Sequence, residues 1–404
     1  MLNKISISNF RSCYDTHLEF NHRVSALSGK NGAGKSNILK AIQWLSSAVS
    51  AEGIRTTAAG NMDEDSDEIS FDINLKLDLN YHYRLIAPKS GRMSPGAIST
   101  RPGYSVRESL GLEVTGGHEQ KLLERYGEEI RLAGRNEPIR ISRATPSIAA
   151  LLSLLPSEDP LQVHLNSVAS FFSGVRYYEL EEKPDARDHV TEQEYNDFKF
   201  RYDGESQLTS SVALRLIYMF SEYRDLWDEL TRLVGPDGLG LFERMDIVFL
   251  EGGGLTTPRK EGTAAKTLYL PIFTPSDQMG GAGHSYPFSS LSVGTRRVLR
   301  IITSMLFDRR SLMLLEQPED SIHPNLLRKL IDILRTYSFQ SQIIFTTHSL
   351  EVLDLLRPEE VFLVDAHEGA TSARKLSAEE IDRAKLFLQD EGSLSEFLEP
   401  LSET

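Results

Sequence analysis

Val24-Ser-Ala-Leu-Ser-Gly-Lys-Asn-Gly-Ala-Gly-Lys-Ser-Asn-Ile-Leu-Lys-Ala-Ile42 reads as strand, loop and helix in direct succession. Val24 to Leu27 is an apolar strand, and Ser36 to Ile42 predicts the first turns of a helix. Between them, Gly29 to Ser36 fits the phosphate-loop pattern G-x-x-x-x-G-K-S in the context that pattern requires. Glycine at 29, 32 and 34 is expected to allow φ > 0 and turn N–H groups inward around phosphate oxygens. The expected phosphate set is Gly29, Lys30, Asn31, Gly32, Ala33, Gly34, Lys35, Ser36 and Asn37. Lys35 is placed to reach the β- and γ-phosphates, Ser36 to hold Mg²⁺, and the helix N-terminus to favour the anion. This stretch implies a nucleoside triphosphate with Mg²⁺ on an α/β fold.

The rest of the composition narrows the class. The chain has 404 residues, with 40% hydrophobic and 25% charged, the values of a folded domain or two. Lys and Arg number 44 against 58 Asp and Glu, a formal charge of −14. That balance argues against a protein wrapped in nucleic acid, while a local basic groove stays open. A single cysteine, Cys13, excludes an internal disulfide or a Cys-x-x-Cys zinc site. The first residues lack the apolar core of a signal peptide, and no apolar run nears the ~18 residues of a membrane span. A cytoplasmic protein with no membrane contact is the expectation.

Along the chain, Ile5, Ile7, Leu18 and Phe20 alternate with polar residues as two strands ahead of the loop. Gly53 to Asp67, Pro88 to Gly103 and Gly252 to Lys266 read as loops. Ile69, Phe71, Ile73, Leu75, Leu77 and Leu79 occupy every second position and predict one long strand, with a partner at Tyr81–Ala87. Leu112–Val114, Ile139–Ile141 and Leu268–Ile272 read as further strand pieces, and Val212–Leu233 as a helix. From Val298 the pattern alternates: helix to Phe307, strand Leu312–Leu315, helix Pro324–Tyr337, strand Ile343–Thr346, helix Leu350–Leu356, strand Val361–Val364. Such alternation marks a parallel sheet covered by helices.

Three C-terminal segments carry a family resemblance. Leu312-Met-Leu-Leu-Glu-Gln-Pro-Glu-Asp-Ser-Ile-His-Pro324 resembles a Walker B strand, Leu291-Ser-Val-Gly-Thr-Arg296 an ABC signature of the L-S-x-G-T form, and Thr346-Thr-His-Ser349 a switch-histidine segment. With the phosphate loop, they make the chain resemble ABC-type ATPases of the RecF/SMC/OLD-like superfamily, and more narrowly the stand-alone ATPases of bacterial anti-phage systems. The resemblance covers about 1–45 and 285–400. It implies an ATPase core from 1–50 and 285–404, an antiparallel β lobe with strands from about 68–145, and a mainly helical, loop-rich insertion over 146–284.

The resemblance also implies roles. Glu316 takes the position of the acidic residue that orders Mg²⁺ and its waters, and His348 that of the residue sensing the γ-phosphate. Arg11 matches a basic position that contacts nucleotide. Ser292 and Gly294 match the signature that grips the γ-phosphate on the opposite protomer, so a complete site needs a homodimer or a higher homo-oligomer. Gln317 departs from the pattern, because the family has there the glutamate that polarises the attacking water. An amide lacks that basicity, a loss of about 10²–10⁴-fold. Either the ATPase is naturally slow or inactive, or Gln317 is a Glu→Gln trap that holds ATP; the isosteric swap amid intact elements favours the trap. Glu319 is a candidate substitute base, and Asp320 lies in the D-loop region. Gln162 and Gln278 are Q-loop candidates by residue type alone.

Length and motif form argue against a transporter subunit, the absence of long heptads against a cohesion-type coiled coil, and the short tail after Val364 against a fused Toprim nuclease. The expected partner is a separate effector protein, a nuclease among the options. Two rivals stay open: a RecF-like DNA-binding repair ATPase and a non-hydrolysing ATP-bound scaffold. Lys89, Arg92, Arg101, Arg107, Arg131, Arg135, Arg140 and Arg143 alternate with glutamates and favour a solvated mixed face over a DNA groove. Arg296, Arg297 and Arg300 follow the signature and are candidates for the dimer seam.

Overall fold

The computed structural model describes residues 1–50, 68–88, 106–114, 118–143, 145–179, 188–203, 211–252, 266–276, 283–308, 310–390 and 392–402. The loop expectations at 53–67, 89–103 and 253–265, with Lys89, Arg92, Arg101 and Gln278, lie outside the described residues. In chain order the elements begin with β1 (Leu2–Phe10), β2 (Cys13–Glu19), β3 (Val24–Ser28), α1 (Lys35–Val49), β4 (Glu68–Lys76) and β5 (Asn80–Pro88). Next come β6 (Arg107–Val114), β7 (His118–Tyr126), β8 (Glu129–Leu132), β9 (Ile139–Arg140), α2 (Ser147–Leu154), α3 (Leu161–Ser173) and β10 (Val175–Tyr178). The middle holds β11 (Val190–Thr191), α4 (Glu192–Asp203), α5 (Val212–Glu222), α6 (Arg224–Val234), β12 (Phe242–Gly252), β13 (Lys266–Pro275), β14 (Tyr286–Pro287) and α7 (Val293–Phe307). The chain closes with β15 (Leu312–Glu316), α8 (Pro324–Tyr337), β16 (Gln342–Thr347), α9 (Leu350–Leu353), β17 (Val361–His367), β18 (Ala370–Lys375), α10 (Ala378–Gln389) and α11 (Leu394–Leu398). Among the described residues no helix is long and apolar enough to cross a membrane.

The chain divides into two units, the first made of Met1–Glu179, Arg310–Gln317 and Leu334–Thr404. Its described residues form two sheets. One is antiparallel, in the order β2-β1-β4-β5-β6-β7-β8-β9. The other runs β10-β15-β16-β3-β17-β18 and is parallel apart from the β17–β18 pair. Its central strands β3, β15 and β16 are buried almost throughout, which is why they read as short apolar runs without alternation. Helix α1 buries Ile38, Leu39, Ile42, Leu45 and Val49, and the spacing of these residues is what makes the segment helical. Fully burying one such side chain contributes about 1.5–3 kcal/mol. Trp44 of α1 stacks on Phe71 of β4 with centroids 5.4 Å apart, and Phe10 of β1 packs on the same ring at 5.9 Å.

Two buried polar groups hold this unit in register. The Gln342 amide accepts from Leu2 N at 2.8 Å and donates to Leu2 O at 2.9 Å and Asn21 O at 2.8 Å, tying β16 to β1. Arg125 and Glu108 pair at 3.0 Å with both side chains inaccessible, and Tyr83 donates to the same carboxylate at 2.7 Å. Removing either charge would strand the other, at a cost of about 3–5 kcal/mol.

The second unit comprises Leu180–Arg309 and Pro318–Ile333. Its described residues include a sheet in the order β11-β13-β12, with β14 on β13, and the helices α4 to α7. Tyr218, Phe198 and Phe307 pack edge-on or stacked at 5.5–6.3 Å in its core. Arg215 pairs with Asp308 at 3.1 Å, both nearly inaccessible.

Three local readings differ from the structure. Strand β4 stops at Lys76, because Leu77 N bonds Leu79 O in a tight turn that leaves Leu79 exposed. The long helix expected over 212–233 is two helices, broken at Tyr223, whose φ of −129° and ψ of 71° are not helical. The sequence reading did not name β7 and β12, although Phe242 to Gly252 pairs along most of β13.

Candidate nucleotide-binding site

The carboxyl ends of β3, β15 and β16 lie side by side, with Glu316 opposite Thr346 and Thr347 opposite Ser28 in register. In open α/β sheets this end is where ligands bind. The phosphate loop leaves β3 at Gly29, with Gly32 at φ 86° and Gly34 at φ 96°. Gly29 does not take a positive φ, contrary to expectation. Its need is closeness instead, since a Cβ there would stand 2.0 Å from Val364 O. Gly34 has both constraints, because a Cβ would meet Thr371 Oγ1 at 1.8 Å. Lys35 is 6% exposed, and its Nζ donates to Gly29 O at 2.6 Å and Lys30 O at 2.9 Å, bridging the loop. Lys30 and Asn31 are exposed at the tip, and Ala33 is buried behind it.

A chain of polar contacts braces the loop from behind. Asn37 Nδ2 donates to Ser12 Oγ at 2.7 Å, Ser12 Oγ meets Thr371 Oγ1 at 2.7 Å, and Thr371 Oγ1 donates to Ala33 O at 3.1 Å. Arg11, at φ 51°, donates from Nη1 to Asn37 Oδ1 at 3.3 Å and so belongs to the same group. This is where Arg11 and Asn37 sit relative to the loop.

Glu316 ends β15 and accepts from two hydroxyls, Ser36 Oγ on Oε1 and the Tyr177 phenol on Oε2. Burial and the adjacent Glu316 push the Tyr177 phenol well above its ordinary range, so it stays a donor. Gln317 has φ 44°, its N–H donates to Thr346 Oγ1 at 3.1 Å, and its Nε2 stands 2.8 Å from His348 Nδ1. A left-handed φ on a side-chain-bearing residue costs about 1–3 kcal/mol and is held where surroundings over-determine it. His348 follows β16 directly, and Ser349 then caps α9. A cavity of about 640 Å³ adjoins the loop, lined among others by Gly29, Asn31, His348, Leu353, Val364 and Leu398.

The first unit thus brings together Arg11, the loop, Ser36, Asn37, Glu316, Gln317 and His348. A hydroxyl and a carboxylate in direct contact make an all-oxygen donor set that fits a hard cation such as Mg²⁺, and the loop and Lys35 fit phosphate oxygens.

The signature residues lie in the second unit. Ser292 caps α7, accepting from Thr295 N at 3.1 Å. Gly294 is buried against backbone, with a Cβ position 2.2 Å from Ser321 O. Arg297 donates to Asp320 O at 2.9 Å and pairs with its carboxylate at 3.3 Å. Arg296 donates to Ser289 O at 3.1 Å.

Gln162 is removed from consideration as a Q-loop residue. Its amide is buried and donates to Leu152 O and Leu155 O, fastening α3 to the end of α2. Among the basic residues set aside as a mixed face, Arg107 pairs with Glu68, Arg140 with Glu129 and Arg143 with Glu128. Sequence reasoning missed Tyr177, Ser12 and Thr371. Tyr177 becomes visible only once β10 is known to lie beside β15, and Ser12 and Thr371 are brought together from opposite ends of the chain.

Comparisons with known proteins bear on the family and the fold. Residues 1–208 match the family described as AAA ATPase domain. Residues 271–354 match an AAA-domain family whose description names the AbiEii toxin of a type IV toxin–antitoxin system. The DNA replication and repair protein RecF of Clostridioides difficile (strain 630) is 49% identical over 45 residues, 11% of this chain. The match spans only 12% of that relative's length. In fold, the chain is similar to an SMC head crystallised with the C-winged helix domain of ScpA, at a TM-score of 0.51 and 13% identity over 95% of this chain and 99% of the other. It is similar also to an SMC head with an extended coiled coil, bound to the C-terminal domain of ScpA derived from Pyrococcus furiosus, at 0.50 and 13% over 96% and 99%. The chain belongs to the AAA ATPase domain family, and its fold is similar to that of SMC heads.

Proposed function

We propose that this chain binds ATP on the 29–37 loop and hydrolyses it slowly, as an ATP-gated dimer that controls a separate effector. The observation that carries the nucleotide reading is the contact between Ser36 and Glu316, residues 280 apart in sequence and joined at the carboxyl ends of adjoining strands. Mg²⁺, when bound, supplies positive charge between the phosphate oxygens, with Ser36 and Glu316 as its protein ligands, directly or through water. Lys35 exchanges its bonds to the loop carbonyls for phosphate oxygens, and the loop N–H groups donate to the same anion. His348 faces the γ-phosphate end.

Gln317 occupies the position facing the attacking water, and a carboxamide cannot take its proton. Turnover is therefore low, as in a Glu→Gln trap. Ser292 and Gly294 of a second copy complete the pocket, because a Ser-capped helix N-terminus is an anion site. The family match naming a toxin of a toxin–antitoxin system supports an effector partner, and with it a role in anti-phage defence. Isothermal titration with a non-hydrolysable ATP analogue and Mg²⁺ tests the core of this reading. Binding that survives Lys35→Ala unchanged would refute it.

The RecF match favours a second reading, closure on duplex DNA. It requires duplex affinity that appears with ATP and falls steeply with salt.

A further inference from the structure

Glu316 is held from both sides, and only one of its partners belongs to the phosphate loop. Ser36 Oγ donates to Oε1, and the Tyr177 hydroxyl to Oε2. The second contact follows from sheet geometry. Strand β10 runs parallel to β15 with Tyr177 opposite Leu314, and Glu316 stands two residues beyond Leu314. Side chains alternate faces with a period of two, so Tyr177 and Glu316 project from the same face as diagonal neighbours. A phenol and a glutamate are long enough to meet across that diagonal.

We propose that Tyr177 is a positioning residue that sets the cation preference of the nucleotide site. With Oε2 engaged by the phenol, the oxygen that Glu316 turns toward a cation or its bound water is Oε1, the one it shares with Ser36. A carboxylate so restricted suits Mg²⁺, which takes six ligands in near-ideal octahedral geometry and keeps several waters. It disfavours Ca²⁺, which takes 6–8 oxygens at longer distance and readily uses both oxygens of a carboxylate. The Tyr177 hydroxyl donates to Glu316, so its effect on the cation passes through that carboxylate. The inference rests on the nucleotide reading of the same site.

Tyr177→Phe keeps the ring, which packs against the core of the first unit, and deletes only the donor. The affinity of a non-hydrolysable ATP analogue is to be measured for the full chain and this variant with Mg²⁺, with Ca²⁺ and with EDTA. The expected result is a parent that prefers Mg²⁺ and a variant whose Mg²⁺/Ca²⁺ affinity ratio narrows about tenfold, the worth of one hydrogen bond to a charged group. Affinity in EDTA should not change. Tyr177→Leu, which also lacks a donor, should narrow the ratio as well, and serves if the first variant does not fold. An unchanged ratio, or equal loss under all three conditions, would overturn the inference and leave the nucleotide reading intact. A parent that binds the analogue under none of them would overturn both.

Discussion

Gln317 Nε2 stands 2.8 Å from His348 Nδ1. The carboxamide nitrogen can only donate, so Nδ1 accepts and the ring proton rests on Nε2. A glutamate at 317 would reverse this, accepting from an Nδ1 proton. The residue at 317 therefore bears on the tautomer of the neighbouring histidine and, on the proposed function, on the basicity offered to the attacking water.

Gln317→Glu should raise single-turnover phosphate release by about 10²-fold or more, with little change in nucleotide affinity. Rapid-quench measurement of the two proteins decides it. No gain in rate would favour the non-hydrolysing scaffold over a slow ATPase.

Gly34→Ala should damage both stability and binding. The new Cβ would stand 1.8 Å from Thr371 Oγ1 and would have to adopt φ 96°. A left-handed alanine costs about 1–2 kcal/mol and overpacking about 1–3 kcal/mol more. Urea denaturation should report a loss of about 2–5 kcal/mol, with nucleotide affinity falling alongside. A change below about 0.5 kcal/mol would mean that Thr371 does not brace the loop.

The β lobe carries a pH-dependent element. The hydrogen bond from His82 to Asp72 raises the histidine pKa, Glu119 adds to it, and the same bond holds the Asp72 carboxyl below its ordinary value. The histidine contribution is complete below its unfolded value of about 6.5 and is lost as pH rises through the higher folded value. The aspartate contribution runs the other way, present above about 3.9 and lost as pH falls. Thermal melts of the parent should therefore show a stability term that declines above pH 6.5, and His82→Gln should flatten it. Parallel pH profiles for the two proteins would contradict the pairing.

Much of the candidate site was legible because its parts are local. The phosphate loop, the strand ending in Glu316 and the segment reaching His348 each combine a short apolar run with a polar terminus, and such runs announce buried parallel strands. What escaped depends on strand order. Tyr177 is one of two adjacent tyrosines until β10 is placed beside β15, and only the pairing turns it toward Glu316. Thr371 meets the loop through β18, which no periodicity connects to residue 34. The overlong reading of β4 has a similar origin, since Leu77 and Leu79 extend the alternation into a turn whose own hydrogen bond ends the strand. Tyr223 breaks a helical pattern that apolar spacing alone would carry through.

On the proposed function each pocket is shared between two copies, with the loop, Glu316 and His348 of one facing Ser292 and Gly294 of the other. Light scattering with size-exclusion chromatography at saturating Mg-ATP measures it directly, because Gln317 should hold the closed state long enough to observe. Twice the 45.4 kDa chain mass is expected with Mg-ATP, and that species should be lost in Ser292→Arg although its own loop still binds nucleotide. A chain that binds Mg-ATP yet elutes at the monomer mass would contradict it.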